Sequence, residues 1–470
     1  MNEDLTAEQG EVTALLCQED ELQDGQMREV EVEGQKVLLV RTEGRYGAVG
    51  SRCTHYNAPL VKGALVGNRV RCPFHGACFN VMTGDIEEFP GLDCLPSYKV
   101  IMNLLMQLLF YNARIPEVNH STLLIGGGPA ALLCAETLRR NSYQGRIVMV
   151  TKDALPPFDK PKLSKVNEPV SYYTVTLLSP PDARARSLGC PGQHLKGVKL
   201  LQTHQDAQDI HNSCQGQRAV IIGASFIGME VASYLSNKAA SVAMVGTTQY
   251  PFERSLGPEI GKMAMHMLEE NNVKFYMKDR VLEIRGEDGK VKEVVLESGA
   301  VLQADVVVAG IGVVPNSDFL MGSQVQTDSR KAVVVDEFMK TNVPDIYGAG
   351  DVTSFPLPIR GGQRVQIGHW QMAHSHGRAA ALNMLNKPTK MDSVPFFWTV
   401  LLGKSIRYAG FGEGYTEIIF KGKVEEGKFL AFYIKEQVVV AAASLMFDPA
   451  VSLIAELMSS GHQITKTQAQ

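Results

Sequence analysis

The sequence predicts a multidomain protein with an all-β N-terminal domain, an α/β region built from two doubly wound halves, and a small α+β C-terminal domain. Three observations lead to this prediction. Residues 29–49 alternate apolar and polar side chains between closely spaced glycines, as short antiparallel strands do. Further along, two apolar strands each run into a glycine-rich turn and then a helical pattern. A chain of 470 residues also has the length expected of about three domains.

The overall composition is that of a soluble globular protein, with 45% hydrophobic and 20% charged residues. A formal net charge of −4 gives no reason to expect a nucleic-acid partner. The first 27 residues hold eight acidic and no basic side chains, which argues against a secretory signal and an Arg-rich presequence. The apolar run Ile101–Tyr111 is too short to cross a bilayer. We therefore expect no membrane span.

Two short loops of the N-terminal domain carry paired thiol and imidazole groups. Cys53 and His55 lie in the first loop, and Cys72 and His75 lie in the second. A Cys2His2 zinc finger would instead place both cysteines in one knuckle. One thiolate and one imidazole per loop suit a [2Fe–2S] cluster in which one iron takes two Cys and the other takes two His. The sequence therefore predicts such a cluster on these four residues.

These loops and their flanking strands resemble the Rieske fold, which we assign to residues 10–105 and which a linker follows at 106–120. High-potential Rieske proteins carry a disulfide between the two loops, and the matching positions here are Ala58 and Phe74. The resemblance is thus to soluble Rieske ferredoxins and oxygenase components. It implies cluster loops that expose His55 and His75 to an acceptor. Cys78 lies just beyond the second loop, and we expect it to be either a buried thiol or a fifth ligand of the cluster.

Two copies of a strand–glycine turn–helix pattern follow. In such a turn the first glycine makes the bend, the second lets the backbone approach a pyrophosphate, and the helix N-terminus supplies a positive dipole. Residues 122–125 and 219–222 are the two strands. The residues that carry the turns are Gly126, Gly128 and Ala131 in the first copy and Gly223, Gly228 and Glu230 in the second.

Two later segments extend the second pattern, the strand Val306–Ala309 running to Gly312 and the strand end Ile346–Asp351. Together these motifs resemble the two-dinucleotide-binding-domain flavoproteins, which include ferredoxin reductases and apoptosis-inducing factor. The resemblance implies FAD in the first half and NAD(P)H in the second. It assigns residues 121–217 and 333–390 to the FAD-binding domain, 218–332 to the NAD(P)-binding domain and 391–470 to the C-terminal domain. Further implied FAD contacts are Lys160, Lys165, Asp351 and Trp370, and Gly312 joins the NAD(P) site.

The order of the domains is similar to that of apoptosis-inducing factor 3-like proteins, and the segments 397–398 and 446–449 fit their C-terminal domain. The resemblance implies an NAD(P)H-dependent FAD oxidoreductase that passes electrons through the Rieske cluster. It needs no catalytic acid or base, and Lys165 would bias the flavin electrostatically. The partner would be an electron acceptor or donor protein. We expect the protein to be mitochondrion-associated or cytoplasmic and not secreted. Its oligomeric state is undecided, and a homodimer is one of the states considered.

Two departures from the family pattern leave alternatives open. Gly246 ends the strand at which a carboxylate would bind the ribose of NAD, so NAD and NADP stay undecided. The segment 166–217 is too short to complete a mononucleotide-binding half. The second interpretation is therefore a non-enzymatic cell-death or interaction factor with a compromised flavin site.

Overall fold

The computed structural model describes residues 21–32, 34–98, 121–151 and 183–470. The apolar run Ile101–Tyr111 and the predicted flavin contacts Lys160 and Lys165 lie outside these described residues. Within the described ranges, no helix combines the length and the apolar character that crossing a membrane requires.

The N-terminal domain consists of two four-stranded antiparallel sheets, ordered β1-β2-β3-β8 and β4-β5-β6-β7. Glu43 and Gly44, with φ of 52° and 71°, form the two-residue turn between β2 and β3, a left-handed pair that matches the twist of a hairpin. The strands are β1 (Gln26–Val32), β2 (Gln35–Thr42), β3 (Arg45–Gly50), β4 (Ala64–Val66), β5 (Arg69–Arg71), β6 (Cys78–Asn80), β7 (Ile86–Glu88) and β8 (Ser97–Tyr98).

The first half of the α/β region begins with β9 (Ser121–Ile125), α1 (Pro129–Arg140) and β10 (Arg146–Val150), and the two strands pair in parallel. A second small sheet holds β21 (Val333–Val334), β22 (Thr353–Leu357) and β23 (Gln363–Val365). Helix α6 (Trp370–Met384) packs against α1. Their approach is so close that a Cβ on Gly377 would lie 2.0 Å from the carbonyl oxygen of Ala130.

The second half is a five-stranded parallel sheet in the order β12-β19-β13-β14-β15. An antiparallel meander of β16, β17 and β18 and the pair β11–β20 adjoin it. The strands are β11 (Ala183–Ala185), β12 (Val198–Leu200), β13 (Arg218–Ile222), β14 (Ser241–Gly246), β15 (Val273–Met277), β16 (Val281–Glu287), β17 (Lys290–Leu296), β18 (Val301–Gln303), β19 (Val306–Ala309) and β20 (Val313–Pro315). The helices are α2 (His204–Cys214), α3 (Phe226–Leu235), α4 (Glu253–Leu256) and α5 (Pro258–Glu269).

This topology differs from the predicted domain boundary at residue 218. Strand β12 pairs in parallel with β19, and α2 packs on both strands, so residues 198–217 belong to the second sheet. Local sequence patterns could not predict this boundary, because the partner strand lies about a hundred residues further along the chain and no pattern links the two strands.

The C-terminal domain is a five-stranded antiparallel sheet in the order β24-β25-β28-β27-β26. Its elements are β24 (Phe396–Leu401), β25 (Lys404–Gly410), β26 (Glu417–Lys423), β27 (Lys428–Lys435), β28 (Val438–Leu445), α7 (Ala450–Ser459) and α8 (Lys466–Ala469). Helix α7 packs on β25 and β28 of its own sheet and on β4 and β5 of the N-terminal domain. The all-β, α/β and α+β order confirms the predicted fold class.

Candidate functional site

The two loops of the N-terminal domain that carry the predicted ligands have the same backbone fold. In the first, the amide of Cys53 donates to the carbonyl oxygen of Ala58 at 2.9 Å. In the second, the amide of Cys72 donates to the carbonyl oxygen of Ala77 at 2.7 Å. Each cysteine therefore opens a six-residue turn, and each predicted histidine lies inside that turn.

The residue four positions after each cysteine is left-handed, with φ of 56° at Asn57 and 78° at Gly76. Asparagine tolerates this conformation and glycine adopts it freely. Gly76 is constrained a second time, because a Cβ there would lie 2.6 Å from the ring of Phe396 in the C-terminal domain. The second loop thus depends on glycine for its conformation and for its contact with another domain.

Replacing Gly76 with alanine is expected to lower the free energy of unfolding by about 2–4 kcal/mol, since it adds left-handed strain to an overlap with Phe396. Gly67→Ala is the matched control. Gly67 is also left-handed in the same domain, with φ of 54°, but has open space around it, so its cost should stay near 1 kcal/mol. Chemical denaturation of both variants checks this, and equal costs would contradict the role of the Phe396 contact.

The structure brings the four predicted ligands together. The imidazole rings of His55 and His75 lie 5.0 Å apart between centroids, and Cys53 and Cys72 are 3% and 1% exposed. Burial opposes ionisation of Cys72, but hydrogen bonds from the Cys53 thiol and from the backbone amides of Phe74 and His75 lower its pKa. Donors of this kind stabilise a sulfur that carries negative charge, as a cluster ligand does.

The donor set fits a two-iron cluster better than a single metal ion. A single ion would need all four ligands at one point, whereas a Rieske centre needs two protein ligands at each of two irons. The adjacent pair of buried cysteines and the adjacent pair of histidines offer that arrangement.

Both predicted histidine ligands face the C-terminal domain, contrary to the expectation that the loops would present them to an outside acceptor. The indole ring of Trp398, on β24, lies 4.2 Å from the His75 ring and 5.9 Å from the His55 ring. Both histidines are half-buried, and Trp398 is 6% exposed. The position of the second loop is the reason, since it docks on this domain.

Polar contacts fix that docking. The guanidinium of Arg407 donates to the carbonyl oxygen of Phe74 at 2.9 Å and forms an ion pair with Asp448 at 2.8 Å. The hydroxyl of Ser452, on α7, donates to the carbonyl oxygen of Cys72 at 3.1 Å. The backbone of the ligand loop is therefore held by side chains of the C-terminal domain.

A buried cluster of four charges joins the same two domains. Arg71 is fully buried and pairs with Glu456 of α7 and, at 2.8 Å, with Glu88. Arg69 completes the cluster by pairing with Glu88 at 2.6 Å and with Glu456 at 3.1 Å. Arg71 also donates to the carbonyl oxygen of Gly76 at 2.9 Å, which ties the charges to the second ligand loop.

The first predicted dinucleotide turn leads into α1. Gly126 has φ of 127°, a conformation that favours glycine, and Gly128 is the N-cap of α1 without a side-chain cap. Ala131 follows in the first helical turn. The start of α1, which has no side-chain cap, fits the pyrophosphate of FAD. Asp351 lies beside Gly368, just before the start of α6 at Trp370.

The second predicted turn is closely packed around its glycines. A Cβ on Gly228 would lie 1.8 Å from the carbonyl oxygen of Gly223, and one on Gly223 would lie 2.4 Å from the carbonyl oxygen of Gly310. Ser225, in place of the middle glycine, is the N-cap of α3. Gly312, two residues after Gly310, is left-handed with φ of 90°. This cradle fits the pyrophosphate of a nicotinamide dinucleotide.

Two residues near this turn have neighbours that the sequence did not indicate. A Cβ on Gly246 would lie 2.8 Å from Met277 and 2.9 Å from Ala224, so no side chain fits where the ribose carboxylate is usually found. Glu230 is buried, and its carboxylate accepts a hydrogen bond from Thr399 at 2.8 Å. Its carboxylate is thus directed towards β24 of the C-terminal domain.

The sequence interpretation did not single out Trp398, Arg407 or Glu456 as parts of the site. The segment 397–398 is typical of the C-terminal domain, but nothing in it indicates a contact with the ligand loops, and Glu456 lies 385 residues from Arg71 in the sequence. Only the docking of the first and last domains brings them to the ligand loops.

Three known families match successive parts of the chain. The Rieske [2Fe-2S] domain matches residues 13–99, the pyridine nucleotide-disulphide oxidoreductase family matches 168–377, and the reductase C-terminal family matches 396–470. Apoptosis-inducing factor 3 of Homo sapiens is 42% identical over 519 residues, covering 98% of this chain and 86% of that protein. The alignment is 519 positions long and this chain has 470 residues, so at least 49 aligned positions hold a residue of the human protein and a gap in this chain.

Solved structures share the fold. The ferredoxin reductase for the CYP199A2 system from Rhodopseudomonas palustris matches with a TM-score of 0.69 at 24% identity, covering 75% of this chain and 97% of that chain. A chain of the covalent putidaredoxin reductase–putidaredoxin complex matches with a TM-score of 0.70 at 23% identity, covering 75% and 96% respectively.

Proposed function

Because the chain belongs to the apoptosis-inducing factor 3 family, we propose that it passes electrons from NAD(P)H to the cluster of its own N-terminal domain. The chain is an NAD(P)H-acting oxidoreductase whose cofactors are FAD and a [2Fe–2S] cluster. A bound FAD would supply the conversion between the two-electron chemistry of NAD(P)H and the one-electron chemistry of an iron–sulfur centre. We propose both that electrons flow from NAD(P)H towards the cluster and that they do so within one chain.

One observation carries this proposal, namely that the predicted cluster histidines face inward. His75 lies against Trp398, and the ring of Trp398 lies 5.7 Å from that of His369, the N-cap of α6. The next residue, Trp370, is the predicted flavin contact. A cluster held in this position is close to the flavin end of α6.

Each part of the chain has a definite task in this proposal. The glycine cradle at Gly223 and Gly228 binds the pyrophosphate of the nicotinamide dinucleotide. The uncapped start of α1 binds the pyrophosphate of FAD. The C-terminal domain supplies the buried Trp398 beside the predicted histidine ligands and holds the second ligand loop through Arg407 and Ser452.

The docked N-terminal domain takes the part that a separate redox protein has in related systems. The structural neighbour from the putidaredoxin complex is a reductase joined to a distinct redox partner. Here the Rieske domain lies on the C-terminal domain of the same chain. We therefore propose an outside partner only for the step after the cluster. That the protein is mitochondrion-associated or cytoplasmic remains a prediction. That it forms a homodimer is a prediction too.

A second candidate function has one observation in its favour. Among the described residues, β9 and β10 form a sheet of only two strands, and Leu123, Ile125 and Val150 on it are 59%, 55% and 49% exposed. Exposed apolar side chains that lie together on one sheet are also what a protein partner would cover. The second candidate is therefore a cell-death or interaction factor whose flavin site is compromised.

Cofactor stoichiometry separates the two candidates. Full-length protein, purified and reconstituted with iron and sulfide in the presence of FAD, is analysed for iron and flavin. The oxidoreductase requires two irons and one FAD per chain, each retained through gel filtration. Retention of iron without FAD would reject the oxidoreductase and favour the interaction factor.

A further inference from the structure

We propose that Trp398 is the electronic contact between the cluster and the flavin side of α6, a role that rests on the electron transfer proposed above. Electrons would cross from the start of α6 to His75 through the indole ring of this one side chain. Trp398 thereby becomes a functional residue of the oxidoreductase rather than a packing residue of the C-terminal domain.

The ring geometry supports this route. The indole of Trp398 lies 4.2 Å from the imidazole of His75, a predicted cluster ligand, with the two planes inclined by 43°. On its other side it lies 5.7 Å from the ring of His369, nearly perpendicular at 88°. These three rings form a continuous aromatic series from a cluster ligand to the N-cap of α6.

Strand β24 holds Trp398 in place on both sides. Phe396 lies two residues before Trp398, and its ring fills the space that a side chain at Gly76 of the second ligand loop would occupy. The following residue, Thr399, donates to Glu230 of α3 at 2.8 Å. Trp398 is 6% exposed, so bulk solvent does not reach most of its ring. A rigid, buried contact of this kind suits transfer between fixed centres better than a mobile side chain would.

The electron balance sets what this contact has to carry. One NAD(P)H becomes NAD(P)⁺ and releases two electrons and one proton. Each cluster accepts one electron, which reduces one Fe³⁺ to Fe²⁺. One NAD(P)H therefore reduces two oxidised clusters, in successive single-electron steps, and no bond to Trp398 forms or breaks.

The test compares Trp398→Leu and Trp398→Phe with a matched control, Phe420→Leu. Phe420 lies on β26, at the opposite edge of the same five-stranded sheet, so its replacement also removes an aromatic ring from this domain. The full-length protein, loaded with FAD and cluster, is mixed with NADH under anaerobic conditions. Flavin bleaching and cluster reduction are then followed as separate absorbance changes.

We expect Trp398→Leu to bleach its flavin at the wild-type rate but to reduce its cluster about tenfold more slowly. Trp398→Phe, which keeps an aromatic ring, should be intermediate, and Phe420→Leu should match the wild type. The EPR g values and the midpoint potential of the cluster should be unchanged in every variant. Unchanged g values and an unchanged potential would show that the slower cluster reduction comes from a changed electron-transfer route and not from a smaller difference in potential between flavin and cluster.

Intrinsic fluorescence gives a second measurement that does not depend on turnover. The chain has only two tryptophans, Trp370 and Trp398. Loading the cluster should quench the emission of the wild-type protein, and the quenched portion should be reduced in Trp398→Phe. Equal quenching in both proteins would place Trp398 away from the cluster and overturn the proposal.

Cluster reduction in Trp398→Leu at the wild-type rate would also overturn the route while leaving the proposed function intact. A wild-type protein whose flavin bleaches while its cluster stays oxidised would reject the proposed function itself, and the route with it.

Discussion

Replacing Cys72 with serine is expected to abolish the Rieske EPR signal and to remove nearly all of the bound iron. Cys72 is 1% exposed, and its thiol lies beside that of Cys53 and receives backbone hydrogen bonds from Phe74 and His75. A serine hydroxyl is a far harder and less acidic ligand than a thiol, so one iron would lose half of its protein ligands. Iron analysis and EPR of the reduced protein check this result.

Cys78→Ser is the matched control, since Cys78 lies only six residues beyond Cys72 and is fully buried. Its thiol points to Glu456, with the sulfur 3.6 Å from a carboxylate oxygen, and burial raises its pKa. These contacts belong to the charged cluster between the domains rather than to the ligand loops. We therefore expect Cys78→Ser to keep its iron and its EPR signal, and loss of both would make Cys78 a ligand.

Replacing Glu456 with glutamine is expected to lower the free energy of unfolding by about 3 kcal/mol, because it leaves Arg71 buried with half of its ionic partners. Glu456 is itself 3% exposed, so solvent does not compensate for the lost charge. The same change should loosen the docking of the N-terminal domain and slow the reduction of its cluster by NADH. Thermal or chemical unfolding and anaerobic stopped-flow absorbance measure the two effects.

The control for Glu456 is Glu426→Gln in the same domain. Glu426 pairs with Lys423, but both side chains are largely exposed, at 62% and 70%. Exposed ion pairs contribute little to stability, so this variant should unfold as the wild type does. If Glu456→Gln were equally stable, the buried charges could not be what holds the two domains together.

Much of the fold could be predicted from local sequence patterns. The strand predicted at Val306–Ala309 has these bounds in the structure, and the helix predicted after the first glycine turn is α1. Such elements are marked by apolar runs and glycine turns that lie next to one another in the chain. The ligand loops are equally local, since only one or two residues separate each cysteine from its histidine.

What could not be predicted depends on contacts between distant segments. The pairing of β12 with β19 moves residues 198–217 from the first half of the α/β region to the second. The inward orientation of His75 depends on Trp398, more than three hundred residues further along the chain. A single sequence carries no pattern for such pairs, because neither partner has a periodicity or a motif that refers to the other.

Anaerobic EPR of the full-length protein, with FAD and iron quantified beforehand, tests the central claim most directly. Addition of NADH or NADPH should produce the signal of a reduced Rieske cluster, at about two clusters per nicotinamide oxidised and without any other protein present. If the flavin is bound and bleaches while no reduced-cluster signal appears, the chain does not pass electrons internally, and the proposed function is wrong.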